Sequence, residues 1–108
     1  MDWARAKAFI EAVPPGRWTA YSDVATAGGS PRGAQAVGQW VRRHGDELDG
    51  VHRVLSSDGR IADAWVPAGA GLPSGPRGVR ALLEDERLPF AGDRAHSAAR
   101  FTVADWRP

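Results

Sequence analysis

The sequence predicts a small, mainly α-helical domain with one β-hairpin: a winged helix-turn-helix. Three observations predict it. A short helical stretch, Ser22–Ala27, is followed by Gly28-Gly29 and then by a longer amphipathic stretch, Pro31–His44. Downstream, extended runs flank an Asp58-Gly59 turn, the signal of a hairpin and here of a wing. The 108 residues are enough for one domain with one core and too few for two.

In chain order, Asp2 caps a first helix running to about Val13, with Ala6, Phe9, Ile10 and Val13 on one face. Pro14-Pro15-Gly16 stops it, and Arg17–Tyr21 is an extended link. Ser22 starts the short helix. Pro31 suits the first turn of the long one. At 100° per residue the long helix puts Ala34, Ala36, Val37, Trp40 and Val41 on a broad apolar side. Arg32, Gln35, Gln39, Arg42 and Arg43 fall on a narrow polar stripe. Gly45–Gly50 is an acidic loop, Val51–Leu55 a strand, Ser56–Gly59 a turn and Arg60–Ala62 the returning strand. Residues Val66–Pro76, with their Pro and Gly, form a flexible loop. A last helix spans Arg77–Glu86, with Val79, Leu82 and Leu83 inward. Phe90, Phe101, Val103 and Trp106 pin the tail, and Trp3, Trp18, Trp40 and Trp106 read as core.

The chain has no Cys, which excludes disulfides, thiolate zinc sites and a cysteine nucleophile; three scattered His imply no structural metal, and no cofactor is expected. Net charge is only +1, but no carboxylate lies between Val24 and Gly45, whereas Arg32, Arg42 and Arg43 do. The field around the long helix is therefore positive. Three guanidiniums and two amides on one stripe suit phosphates and base edges. No run approaches about 18 apolar residues and the N-terminal residues do not read as a signal peptide, so a soluble cytoplasmic monomer without membrane contact is expected.

Four segments in register resemble the DNA-binding domain of O6-alkylguanine-DNA alkyltransferases. Val13–Ala25 resembles the family's "IPxGxVxTYGDIA" entry, and Gly33–Gly38 its "AARAVG" recognition helix. Val51-His52-Arg53-Val54 with Ser57-Asp58-Gly59 resembles "PCHRV…DG", and Leu82–Glu86 resembles "LLxxE". The resemblance, over roughly residues 3–90, implies a winged helix-turn-helix of the alkyltransferase C-terminal-domain type, and residues 1–108 are read as that single domain. It implies DNA contacts by Tyr21, Ser30, Arg32, Gly33, Ala34, Gln35, Gln39, Arg42 and Arg43, and a lesion pocket of Val51, His52, Arg53 and Trp65 supported by Glu86.

The departures direct the functional reading. The family's alkyl-accepting Cys falls on Val51, which carries no nucleophile. The residue before it, Pro in the family, is Gly50, and the arginine finger falls on Gln35. The chain is thus nearer the alkyltransferase-like proteins, which keep the fold and bind alkylated DNA without repairing it; Phe90, Asp93-Arg94 and Trp106 resemble their C-terminal pattern. The resemblance then implies a non-enzymatic protein that binds double-stranded, alkylated DNA in the minor groove, flips the nucleotide and flags it to nucleotide excision repair proteins. A repurposed winged helix-turn-helix on unmodified or otherwise modified DNA, as a regulator or a nuclease or defence accessory, is the alternative. A protein-interaction module is the second alternative. Tyr21 is either a phosphate contact or a half-wet core ring, and Trp65 either stacks on an extruded base or is core. His52 and Glu86, with no proton to relay, read as a structural hydrogen-bonded pair that Arg53 buttresses.

Overall fold

In the computed structural model, residues 1–61 and 75–107 are described, without the side chains of residues 75–77. Helix α1 (Trp3–Ala12) begins as its sequence dictates, with the Asp2 carboxylate accepting the Arg5 N–H at 3.1 Å. Ala6, Phe9 and Ile10 are fully buried on its inner face. Pro14-Pro15-Gly16 turns the chain into β1 (Thr19–Ala20), which leads straight into α2 (Tyr21–Ala27). That helix starts one residue earlier than predicted. Its start is fixed by Asp23, whose Oδ2 accepts the Ala20 N–H at 3.1 Å.

The turn between α2 and α3 is longer than Gly28-Gly29. Ser30 donates to the Ala25 carbonyl and Gly33 to the Ser30 carbonyl, so α3 spans Ala34–His44 and not Pro31–His44. Ser30, Arg32 and Gly33 lie on the turn before it. The N-terminus is tied to this turn: the Asp2 N–H donates to the Gly28 carbonyl at 2.8 Å. On α3 only Val37 and Val41 are fully buried; Trp40 is half-buried and Ala36 exposed, so the buried stripe is narrower than expected.

The predicted strand at Val51–Leu55 is shorter than expected. Gly45–Glu47 and Val51–Arg53 are 3-10 turns, and only Val54–Leu55 is strand, β2. It pairs in parallel with β1, Thr19 opposite Val54 and Ala20 opposite Leu55, across the α2–α3 crossover. The Asp58-Gly59 turn does form, with Gly59 at φ +87° donating to the Ser56 carbonyl. The Arg60 carbonyl accepts the Ser56 N–H at 3.0 Å across this turn, and Arg60 also bridges to Arg94; Ala62 lies outside the described residues. The small hairpin lies later in the chain, between β3 (Phe90–Ala91) and β4 (Arg94–Ala95), antiparallel. Helix α4 (Gly75–Asp85) precedes it and buries Val79 and Leu83. The expected flexible loop at residues 66–76 falls almost wholly outside the described residues, as does Trp65.

Two apolar clusters flank the β1–β2 pair. One joins α1, α2 and α3 to Leu48, Val51, Val54, Phe101 and Trp106. The other joins Trp18, Ala20 and Leu55 to Val79, Leu83, Leu88 and Ala95. The tail closes the first: Phe9 packs on Phe101 and edge-on to Trp106, with centroids 5.6 and 5.4 Å apart. The Thr19 hydroxyl donates to the Phe101 carbonyl at 2.7 Å and Arg100 Nε to Asp23 Oδ2 at 2.8 Å, which bolts the tail to the start of α2. Trp18 and Trp106 are core as predicted. Trp3 is not: it is 37% exposed and lies against half-buried Trp40 on the surface. Among the described residues no helix is long and apolar enough to cross a membrane.

Candidate nucleic-acid interface

The outer face of α3 carries Gln35, Gln39, Arg42 and Arg43, all exposed, and Arg32 is exposed on the preceding turn. The structure therefore brings the predicted stripe to solvent, with Arg32 just outside the helix. Beside it lies an open cleft of about 540 Å³. Tyr21 and Ser22 from α2, Ala34, Gln35, Gly38, Gln39 and Arg42 from α3, and Ser56 and Ser57 after β2 line this cleft. The parallel β1–β2 pairing brings the serines there. Sequence reasoning missed both, because the predicted hairpin placed them at the tip of a wing.

Tyr21 is half-buried against the first core cluster and reaches the cleft edge. Burial pushes its phenol above the ordinary value, and the nearby Arg42 guanidinium only partly offsets this. At neutral pH its hydroxyl is thus protonated, a donor suited to a phosphate oxygen.

Val51 is 5% exposed and packs in the first core cluster. Val51 and His52 are not among the residues that line this cleft, and Trp65, the other wall of the predicted lesion pocket, lies outside the described residues. Gly50 before it has φ +79°, a conformation closed to proline, and a Cβ there would stand 2.8 Å from Arg53 Nη1. The Gly at this position is therefore demanded by the way the 3-10 turn is held.

The pairing predicted for His52 and Glu86 is present. His52 Nε2 lies 2.9 Å from Glu86 Oε2; Arg53 donates from Nε to Oε1 at 2.9 Å and from Nη2 to Oε2. Arg53 Nη1 also donates to the Val13 carbonyl at 3.0 Å. Burial disfavours the Glu86 charge, but the hydrogen bonds from Arg53 and His52 outweigh it and hold the carboxyl below its ordinary value. This cluster joins the end of α1, the Val51–Arg53 turn and the residue after α4. Among the described residues no group of three or more His, Asp or Glu could hold a metal ion.

The family model described as 6-O-methylguanine DNA methyltransferase, DNA binding domain, matches residues 4–88. Among solved structures the chain is similar to S. pombe Atl1, solved in complex with damaged DNA containing O6-carboxymethylguanine. The TM-score is 0.63 at 21% identity, over 98% of this chain and 94% of that one. It is also similar to the O6-methylguanine methyltransferase of Mycobacterium tuberculosis, with a TM-score of 0.55 at 28% identity. That match covers 86% of this chain and 53% of the enzyme, so the chain spans about half the enzyme's length. A comparison with curated proteins gives no match.

Proposed function

The chain belongs to the family of 6-O-methylguanine DNA methyltransferase DNA-binding domains, and we propose that it is a non-enzymatic sensor of alkylated DNA. In this reading it acts as a single cytoplasmic domain and a monomer, binds duplex DNA in the minor groove through α3, and flags O6-alkylguanine for nucleotide excision repair. The observation that carries it is the convergence of Tyr21, Gln35 and Arg42 on one cleft at the exposed face of α3. Arg32, Arg42 and Arg43 hold phosphates, Tyr21 donates to one, and Gln35 fills the gap left by an extruded nucleotide. Extrusion costs a few kcal/mol and least at a damaged base, which is itself a source of selectivity. Val51 supplies an alkane where the family places its nucleophile, so no bond to an alkyl group can form there.

One observation favours a second reading, a domain repurposed for ordinary or otherwise modified DNA: Val51 is 5% exposed and packs with the first core cluster. Titration of matched duplexes with and without O6-methylguanine separates the two. The sensor is expected to bind the lesion duplex about tenfold or more tightly, with the alkyl group unchanged on the recovered DNA. Equal affinity for both duplexes rejects lesion recognition and leaves the second reading.

A further inference from the structure

We infer that the Trp3–Trp40 pair, partly exposed Trp3 on half-buried Trp40, is a second contact with the same duplex, in which the indoles take the deoxyribose wall of one strand and Arg43 its phosphate. The inference rests on the DNA-binding reading of α3. The two rings lie 4.8 Å apart at 34°, one from the first residue of α1 and one from the middle of α3. Trp3 is more than a third exposed. An indole left in water is costly unless it has a use. The rings border a hollow of about 390 Å³ completed by Ala36, Gln39, Arg43 and His44.

Three features point to nucleic acid. First, Gln39 lines both this hollow and the cleft beside Tyr21, so the two surfaces are continuous along α3. A duplex seated on Gln35, Gln39 and Arg42 passes one strand over the Trp40 side. Second, no carboxylate lines the hollow. Glu47 lies 3.5 Å from His44, and Asp2 is turned to the Arg5 N–H at 3.1 Å. Third, the chemistry is matched. In an intact duplex the base faces are already stacked. What a groove wall offers is sugar C–H surface interrupted by phosphates, and the hollow offers indole surface with a guanidinium at its rim. The backbone leading into Trp3 is tied down by the Asp2 N–H, which bonds the Gly28 carbonyl in the helix-turn-helix turn at 2.8 Å, and the Trp3 ring lies against Trp40.

The test titrates the full chain and its Trp3→Ala, Trp3→Phe, Arg43→Ala and Arg42→Ala variants with plain and O6-methylguanine duplexes across salt concentrations. Trp3 is 37% exposed, so Trp3→Ala loses its covered ring surface and is expected to melt a few degrees below the parent chain while staying folded at the titration temperature. It should lose about tenfold in affinity, equally on both duplexes, because backbone contacts carry no sequence information. Its salt slope should stay unchanged, whereas Arg43→Ala flattens the slope by about 0.9, one phosphate's share. Trp3→Phe should keep most of the affinity. If Trp3→Ala binds within about twofold of the parent while Arg42→Ala is weakened, the inference is overturned and the α3 reading stands. If Arg42→Ala also binds undiminished, both fall.

Discussion

At Glu86 a single carboxylate collects three donors, one from His52 and two from Arg53, and so fastens three segments distant in sequence. Its side chain is 17% exposed. Removing its charge leaves Arg53 partly buried without its partner, a loss on the order of 2 kcal/mol for a pair screened to this degree. Its folded-state pKa lies below the unfolded value of about 4.3. The stabilisation is therefore complete above that value and is lost as pH falls through the lower folded one. Glu86→Gln is expected to lower the denaturation midpoint at pH 7 and to lose less stability than the parent chain between about pH 5 and 3. Urea unfolding at a series of pH values checks both; parallel acid slopes would refute the role given to Glu86. The His52–Glu86 pair was legible through the family resemblance alone, since nothing local joins residues 34 apart. The Trp residues show the opposite limit. Composition says that indoles are buried, and it cannot say that Trp3, one residue past a helix cap, begins on the outer side of α1.

Within the elements, the longest amphipathic run was the most legible. The polar stripe of α3 is exposed as its spacing predicts, because a helix of 11 residues fixes which side chains share a face. Its start was misplaced. Pro31 fits a first helical turn, but the Ser30–Gly33 hydrogen bond takes the chain through a separate turn first. The winged helix-turn-helix class holds, while the strand pairing around the wing is set by tertiary contacts. Local pattern gives the Asp58-Gly59 turn, closed by the Ser56–Arg60 bond, but the parallel pairing of β2 with β1 spans a 33-residue crossover and leaves no local trace. Gly38 offers a test at this scale. It lies inside α3, where a Cβ would meet nothing within 4 Å, and it lines the cleft. Gly38→Ala should stabilise the fold by about 0.5–1 kcal/mol, since glycine is the poorer helix former. It should also weaken DNA binding several-fold, because a methyl group narrows the cleft at its wall. Thermal melts and duplex titration on one sample separate the effects; a variant that gains stability and binds as tightly as the parent shows that DNA does not enter there.

Across the whole molecule, the family match ends at residue 88, whereas the first core cluster does not. Phe101 and Trp106 are 7% and 8% exposed, and both pack on Phe9 of α1 at the far end of the chain. Burying two large aromatic side chains is worth roughly 2–3 kcal/mol each. Their sum, about 5 kcal/mol, is as large as the entire net stability of many small domains. Polar ties act in the same place: Thr19 and Arg17 bond the Phe101 and Arg100 carbonyls, Trp18 Nε1 bonds the His96 carbonyl, and Arg100 holds Asp23 at the start of α2. The sequence marks the tail as anchored through Phe101 and Trp106, although it shows no period from which to read the path. A chain ending at Leu88 is therefore expected to lose cooperative unfolding, with broad melting and protease-sensitive helices. Trp106→Ala in the full chain should cost about 3 kcal/mol and remain cooperative. Because Arg5 covers the Trp106 ring at 4.8 Å and bonds the Ala27 carbonyl, the loss should reach the helix-turn-helix and weaken DNA binding as well. Hydrogen exchange of the α2 amides reports this directly: unchanged protection in Trp106→Ala would mean that the tail stabilises α1 alone and leaves the DNA-facing half independent of it.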